Sequence, residues 1–241
     1  MLVGEHEVIV TDTERAAPRT FLLVHGIGMG TSYFAQLSEE LVRYGRVVAI
    51  DLPGFGDAPE SLTVLSMAQT GALLIDFVEL AGLEQAILVG HSMGTQVVAE
   101  AAAQRPDLFS ELVLVAPTVN RQERTIARQT WRMIQDLLGE SPRVIFIGAQ
   151  NYAKTGPRWF IKKLRHMMDH SLEDILPSIS ARTLVIRGNR DRVCPSAWVA
   201  EVTALIPDAT MVEVPGRGHE TMVKDGVCVA ERIMKHLGVA A

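Results

Sequence analysis

Cysteine and surplus positive charge are both scarce in this sequence. Its 241 residues include two cysteines, Cys194 and Cys228, which lack the pairing density of a disulfide scaffold and the CxxC spacing of a metal or redox site. Acidic residues outnumber basic ones by 28 to 23, so the net charge is -5. Broad nucleic-acid binding needs a surplus of Lys and Arg to neutralise phosphates. We therefore predict reduced thiols and no nucleic-acid partner.

Long hydrophobic runs are missing as well. Apolar stretches such as AILVG at 86–90 and LVLVA at 112–116 are strand-sized, far below the roughly 18 residues that indicate a membrane helix. Near the N-terminus, Glu5 and Glu7 stand where a secretory signal would have basic residues followed by an apolar run. These absences predict a cytoplasmic protein with no membrane span and no export signal.

Short apolar runs alternate with longer segments of helical periodicity, and hydrophobic residues make up 48% of the chain. This pattern predicts an α/β fold, a mostly parallel sheet with helices on both faces around one large core. The predicted strands are 21–25, 46–50, 86–90, 112–116, 183–187 and 210–214. The predicted helices are 32–44, 66–81, 94–105, 197–206 and 221–237. Ser66 and Ser196 are expected to cap helix starts, and Gly82 to follow a helix end.

Residues 118–181 interrupt this alternation, because they separate two strands by far more than the usual short connection. Several stretches within them have helical period. We therefore predict a helical cap at 118–181, inserted into an α/β core of residues 1–117 and 182–241. Between positions 121 and 168 there are ten Lys or Arg and three acids, which are Glu123, Asp136 and Glu140.

Four arginines of the cap recur at helical spacing: Arg121, Arg124, Arg128 and Arg132. They would either steer an anionic substrate, or form a face that is solvated or that balances the acidic core. Charged helix stripes usually face water, so the sequence favours the second interpretation.

The pentapeptide Gly90-His91-Ser92-Met93-Gly94 follows one predicted strand and opens a helix. This is the nucleophile-elbow pattern, in which a serine is held on a tight strand-to-helix turn and glycines relieve steric contacts. Chance predicts roughly 0.07 such matches in a chain of this length and composition. The pattern predicts Ser92 as a nucleophile; the alternative is an inert serine in a glycine-bounded loop.

A serine hydroxyl needs a base, and the base needs a carboxylate that orients it and stabilises its cationic form. Asp191 follows the strand 183–187, and His219 follows the strand 210–214. Both are expected at the carboxyl edge of the sheet, together with Ser92. We predict His219 as the base and Asp191 as its orienting acid.

The turn after the strand 21–25 supplies a candidate oxyanion hole. His25-Gly26-Ile27-Gly28 ends that strand, and the backbone N–H groups of Ile27 and Met93 are predicted to hold the oxyanion. Asp51-Leu52-Pro53-Gly54-Phe55-Gly56 is expected to shape another loop of the site, with no catalytic role for Asp51.

These motifs resemble the α/β-hydrolase family in their order and spacing, over nearly the whole chain. The resemblance implies the same roles for Ser92, His219 and Asp191, and a helical cap over the site. A serine at the elbow disfavours haloalkane dehalogenases and epoxide hydrolases, which have an aspartate nucleophile there. Glu220 stands where carbon-carbon hydrolases of the family tend to have Trp, which weakens that assignment.

Two departures from the family pattern concern the periphery of the site. The N-terminal part has room for one clear strand where the family often has an antiparallel pair. Thr95 stands where many members have another glycine, which is expected to alter helix packing behind the elbow and to leave the mechanism intact.

Apolar residues of the cap would line a substrate pocket or pack the cap helices on one another. The candidate substrate-binding residues are Gly26, Trp131, Trp159 and Met167. Packing is the favoured interpretation for any single member, because most apolar helix positions are core. His166 and His170 lie four residues apart without an evident third ligand, so no metal site is predicted.

The sequence thus predicts a serine hydrolase that cleaves a carboxylic ester, with thioester or lactone as close variants, and that needs no cofactor. Its partner would be a small ester-like substrate, and the oligomeric state is left open. Two alternatives remain. A carbon-carbon bond hydrolase or lyase would use the same triad, and a ligand-binding receptor of this fold would keep the pocket with little turnover.

Overall fold

Seven strands form the central sheet of the computed structural model, which describes residues 1–137, 150, 152 and 154–239. The strands among these residues are β1 Leu2–Val3, β2 His6–Glu7, β3 Ile9–Asp12, β4 Thr20–Val24, β5 Arg46–Asp51, β6 Ile87–His91, β7 Glu111–Val115, β8 Arg182–Gly188 and β9 Ala209–Val214. The sheet order is β3-β5-β4-β6-β7-β8-β9, and its strands are parallel except β3, which runs antiparallel to β5. The six strands predicted from sequence and their mostly parallel arrangement are confirmed.

The N-terminal part differs from the single strand expected there. β1 and β2 pair with each other in a separate two-stranded antiparallel sheet, and β3 joins the edge of the main sheet. The break between β2 and β3 arises because Val8 turns its backbone N–H back to the carbonyl of Met1.

Helices cover both faces of the sheet, as predicted. The α-helices described are α1 Ala35–Leu41, α2 Met67–Ala81, α3 Met93–Gln104, α4 Ile126–Leu137, α5 Pro157–Asp169, α6 Leu172–Ile175, α7 Ser196–Leu205, α8 Thr221–Lys224 and α9 Gly226–His236. Short 3₁₀ turns lie at Thr31–Phe34, Arg121–Glu123 and Leu176–Ser178. No helix among the described residues is long and apolar enough to cross a membrane.

Helix boundaries confirm two of the predicted caps and correct a third. Ser66 caps α2 in a reciprocal arrangement with Gln69, and Gly82 ends the same helix in a left-handed conformation. Ser196 is not a cap: Pro195 precedes α7, and the Ser196 hydroxyl donates to Glu213 instead.

The helix predicted over 221–237 is two helices. Asp225 leaves helical geometry at φ −148°, and its carboxylate accepts from the Cys228 backbone N–H at the start of α9. An aspartate at this position satisfies an otherwise unpaired N–H group, which favours a new helix start over continuation.

The core has two layers because alternate residues of a strand face opposite sides of the sheet. On β4, Leu22 and Val24 pack in the cluster that includes α2 and α3, whereas Phe21 and Leu23 pack in the cluster that includes α1 and α9. These strand residues are fully buried, as expected for a sheet covered on both faces.

The strand order creates a crevice at the carboxyl edge of the sheet. β4 and β6 are parallel neighbours, with Val24 opposite Gly90. The chain leaves β4 toward β5 on one side and leaves β6 toward β7 on the other. Loops that diverge in this way form the usual ligand-binding crevice of an open α/β sheet.

Between β7 and β8, the described part of residues 118–181 contains α4, α5 and α6; this stretch is called the cap segment below. Its helices agree with the helical character predicted there, and Glu140 lies outside the described residues. The division of the chain into a core and a cap stays a prediction.

Candidate active site

Ser92 lies on a strained turn between β6 and α3. Its backbone has φ 53° and ψ −119°, a conformation that costs a non-glycine residue about 1–3 kcal/mol and therefore needs support from its surroundings. The following turn is tied down by Thr95, whose backbone N–H and hydroxyl both donate to the Ser92 carbonyl, at 2.9 and 2.5 Å. The residue that replaces a family glycine thus stabilises the elbow.

The glycines of the elbow are required by close backbone contacts. A Cβ on Gly94 would lie 2.1 Å from the carbonyl oxygen of Val24, and a Cβ on Gly90 would lie 2.5 Å from that of Gly94. A side chain at Gly94 would force α3 away from β4, and a side chain at Gly90 would force α3 away from β6. This is the physical reason for the glycine-serine-glycine spacing predicted from sequence.

The structure brings the three residues of the predicted triad together. The Ser92 Oγ lies 3.0 Å from the His219 Nε2, and the His219 Nδ1 lies 3.0 Å from the Asp191 Oδ2. Asp191 lies in the loop after β8 and His219 in the loop after β9. All three residues are buried, with exposed fractions of 5, 3 and 1% for Ser92, Asp191 and His219.

The hydrogen bonds around Asp191 determine the tautomer of His219. The Asp191 Oδ1 accepts from the backbone N–H groups of Val193 and Cys194, both at 2.8 Å. A carboxylate hydrogen-bonded to Nδ1 favours the tautomer of His219 that has its proton on that nitrogen. The Nε2 is then free of a proton and accepts from the Ser92 hydroxyl, as a general base requires.

His91 supports His219 from the other side. The His91 Nε2 donates to the His219 backbone carbonyl at 3.1 Å, and the His91 ring lies between Tyr33 and His219 at centroid distances of 5.3 and 5.1 Å. Burial, and next the neighbouring His219, lower the pKa of His91 well below its ordinary value. His91 is therefore a neutral donor, and its place inside the elbow motif is the signal that could have identified it.

Asp136 on α4 is a second supporting residue that sequence reasoning missed. Its Oδ2 accepts from the backbone N–H of His219 at 2.9 Å, and its Oδ1 accepts from the backbone N–H of Arg192 at 3.1 Å. In the sequence, Asp136 stands out only as one of the few acids of a basic segment. No local pattern identifies it, since its partners lie 56 and 83 residues away.

The predicted oxyanion turn lies against the elbow. A Cβ on Gly26 would be 3.1 Å from the Ser92 Cβ, so the chain after β4 passes close to the serine. Met93 is the first residue of α3, and the N–H of a first helical residue has no carbonyl partner within its own helix. Ile27 is buried at 7% exposure. The roles of Ile27 and Met93 as oxyanion donors stay predictions.

Asp51 and His25 hold the neighbouring loops. The Asp51 carboxylate accepts from the backbone N–H of Thr31 at 2.5 Å and of Asp57 at 2.9 Å. The His25 Nε2 accepts from the Leu52 backbone N–H at 3.1 Å. The structure thus gives Asp51 contacts that shape a loop, as the sequence analysis expected.

Three of the candidate pocket residues are buried, and one is not. Gly26 adjoins Ser92; Trp159 donates from its Nε1 to the Pro53 carbonyl at 3.2 Å; and the Met167 carbonyl accepts from Gln96 at 3.0 Å. Trp131 is 57% exposed on α4, so the structure does not support it as the wall of a buried pocket. Substrate contact by the other three stays a prediction.

Ion pairs engage most of the arginine stripe. Arg121 pairs with Glu201, Arg124 with Glu173 and Arg132 with Glu123, at 2.5 to 2.6 Å. Arg128 is exposed and donates to the Gln122 carbonyl. Arginines already paired with carboxylates are poor recruiters of an anionic substrate, which agrees with the interpretation that the sequence favoured.

Potential metal ligands occur at the triad itself. Within the described part of the chain, the ligand atoms of Asp191, Cys194 and His219 lie within 4.8 Å of one another. The Asp191–His219 hydrogen bond engages two of these residues, and the Cys194 Sγ donates to the Pro117 carbonyl at 3.1 Å. Of the histidine pair His166 and His170, His170 is already engaged, since its Nε2 lies 2.7 Å from the Glu100 carboxylate. The absence of a metal site stays a prediction.

A family model described as the alpha/beta hydrolase family matches residues 21–231 of the sequence. The uncharacterized hydrolase YugF of Bacillus subtilis (strain 168) is 39% identical over 227 residues, which cover 83% of each chain. The pimeloyl-[acyl-carrier protein] methyl ester esterase of Vibrio campbellii (strain ATCC BAA-1116) is 27% identical over 216 residues, 77% of this chain and 82% of the other.

Among solved structures, a thermophilic esterase from Thermogutta terrifontis superimposes with a TM-score of 0.83 at 24% sequence identity. The match covers 98% of this chain and 94% of the esterase. At this identity the similarity concerns the fold, which agrees with the strand order and the covering helices described above.

Proposed function

Because this chain belongs to the alpha/beta hydrolase family, we propose that it is a serine hydrolase of the carboxylesterase type. Its substrate would be a carboxylic ester, with thioester or lactone as close variants. The observation that carries the proposal is the continuous hydrogen-bonded line from Ser92 through His219 to Asp191, with 3.0 Å at each step. Esterases among the related proteins support an ester as the bond that is cleaved.

In the proposed reaction, the Ser92 Oγ attacks the ester carbonyl while its proton passes to the His219 Nε2. Asp191 stabilises the imidazolium that forms, through the hydrogen bond at Nδ1. The carbonyl oxygen becomes an oxyanion, which the backbone N–H groups of Ile27 and Met93 would hold. Loss of one such donor typically raises the barrier by about 3–4 kcal/mol.

Collapse of the tetrahedral intermediate breaks the bond to the alcohol oxygen. His219 gives its proton to that oxygen, and an acyl group remains on Ser92. Water then attacks the acyl carbonyl while one of its protons passes to the His219 Nε2. The second tetrahedral intermediate collapses, His219 returns the proton to the Ser92 Oγ, and the acid is released. The cycle uses three side chains and water, so we propose that it needs no cofactor.

The proposal is tested by hydrolysis of p-nitrophenyl esters from short to long acyl chains. Ser92→Ala should abolish turnover above the solution background with the fold preserved, because Oγ forms the covalent bond. Ser110→Ala is the matched control, since Ser110 is an exposed serine at the amino end of β7, whereas Ser92 lies at the carboxyl edge of the sheet. Turnover by folded Ser92→Ala at the rate of the control would reject the assignment.

A further inference from the structure

A carboxylate of the cap segment binds the backbone of both loops that carry the base and the acid. Asp136 belongs to α4, whereas Arg192 and His219 lie beyond β8 and β9. The Asp136 oxygens accept one backbone N–H each, at 3.1 Å from Arg192 and 2.9 Å from His219. One cap residue thus contacts the neighbour of Asp191 and the base itself.

The side chain of Asp136 is buried. Asp136 is 5% exposed, and burial of a carboxylate is costly unless hydrogen bonds satisfy its oxygens. Its two oxygens accept from the backbone N–H groups of Arg192 and His219. Hydrogen bonds to an ionised acceptor are about twice as strong as neutral ones. Loss of the carboxylate would leave the buried N–H of His219 and the partly buried N–H of Arg192 without this acceptor.

The two carboxylates near His219 act on different parts of it. Asp191 holds the ring through Nδ1 at 3.0 Å, which fixes the tautomer. Asp136 holds the backbone N–H of the same residue, which fixes the position of the Cα from which the ring extends. Together the two contacts constrain both the ring and the backbone of His219.

We propose that Asp136 is a positioning residue that makes the assembled triad depend on the docked position of α4. The inference rests on the proposed function, since it concerns the geometry of Ser92 and His219 as reacting groups. When α4 is docked, Asp136 holds the two loops at the distance that the proton transfer needs. When α4 moves away, the His219 loop loses its anchor, so the serine is activated only while the cap segment is in place.

The size of the effect follows from the sensitivity of proton transfer to distance. A misplacement of about 1 Å can cost about 100-fold in rate. Asp136→Asn keeps the side-chain shape, but its amide has one acceptor oxygen and directs N–H groups at the second backbone N–H. We expect kcat to fall by tenfold to about 100-fold, with KM within about threefold, because Asp136 acts on the base and not on bound ester.

The experiment compares the wild-type protein, Asp136→Asn, Asp136→Ala and a control on p-nitrophenyl ester hydrolysis. Asp169→Asn is the control, since Asp169 is an exposed aspartate on α5 of the same cap segment. Turnover is normalised to the folded fraction from circular dichroism. A fluorophosphonate supplies a second readout, because its rate of reaction with Ser92 should fall in parallel with kcat.

The outcomes separate the two proposals. A fall in kcat at nearly constant KM in the Asp136 variants, with Asp169→Asn at the wild-type rate, supports the positioning role. Unchanged kcat with a raised KM would mean that Asp136 only holds the cap segment, and would overturn the inference while the hydrolase assignment stands. Failure of the wild-type protein to hydrolyse any ester and to react with the fluorophosphonate would instead reject the proposed function.

A measurement on the wild-type protein keeps the inference testable even if both variants fail to fold. If Asp136 protects the backbone amides of Arg192 and His219, these amides should exchange hydrogen only when α4 leaves the core. The free energy of opening measured at both amides should then equal that of the amides in α4. Protection of both amides that persists after the α4 amides have exchanged would overturn the inference, because other groups would then hold the loops.

Discussion

Lys163 on α5 is a buried cation, and its replacement by methionine should change how stability depends on pH. Its Nζ donates to the Leu65 carbonyl at 3.0 Å and to the Thr70 hydroxyl at 2.6 Å. The residue is 4% exposed, and among the described residues no carboxylate pairs with it. Burial without a counter-charge lowers the pKa of Lys163 to about 7.

The sign follows from proton binding in the two states. Between pH 7 and the ordinary lysine pKa of 10.5, the unfolded chain keeps a proton that folded Lys163 has lost. The contribution of Lys163 to the free energy of unfolding therefore rises with pH in this window, and the gain is lost as the pH falls toward 7. The slope is about 1.36 kcal/mol per pH unit for one proton. From pH 7.5 to 9.5, Lys163 should raise the free energy of unfolding by about 2.5 kcal/mol.

Urea unfolding at pH 7.5 and 9.5 measures this contribution as a difference between variants. Lys163→Met should lack the rise of about 2.5 kcal/mol, whereas groups common to both proteins cancel in the comparison. Lys162→Met is the matched control, because Lys162 is exposed on the same helix. Parallel pH dependence of Lys163→Met and the wild-type protein would refute the reasoning, since it would mean that folded Lys163 keeps its proton.

Glu220 should show the opposite dependence. Burial raises its pKa to about 8, so the folded state holds a proton that the unfolded chain loses above about pH 4.5, and stability falls as pH rises through this window. Between pH 5 and 7.5, urea unfolding should show that the free energy of unfolding of the wild-type protein falls by about 3 kcal/mol more than that of Glu220→Gln. Equal falls in the two proteins would contradict the raised pKa of Glu220. Asp191→Asn should lower kcat by about 10⁴-fold, because an amide donor at Nδ1 favours the wrong tautomer of His219. Steady-state ester hydrolysis with circular dichroism tests this, and a loss below tenfold in folded protein would count against the assigned tautomer.

The sheet and the triad could be predicted because their signals are local. Buried parallel strands are apolar along their whole length, and the pattern of Gly90, Ser92 and Gly94 lies within five consecutive residues, although the backbone of β4 also approaches Gly94 closely. Asp191 and His219 follow from strand order, since the carboxyl ends of parallel strands meet at one edge. These inferences need no knowledge of how distant side chains meet.

The rest depends on tertiary contacts that no short pattern records. Asp136 meets the backbone of Arg192 and His219 across 56 and 83 residues, and the sequence shows it only as one acid in a basic segment. Trp131 shares an apolar character with Trp159, yet one is 57% exposed and the other 6%. Helical period alone does not state which face of a cap helix packs on the core.

The activated state of Ser92 is the central claim, and a fluorophosphonate tests it directly. The Oγ would displace fluoride from phosphorus while the His219 Nε2 takes the hydroxyl proton, which leaves a stable adduct on the serine. Mass spectrometry of the digested protein should find this adduct on Ser92 in the wild-type chain and not in His219→Ala. Folded wild-type protein without an adduct, or with its adduct on another serine, would contradict the account.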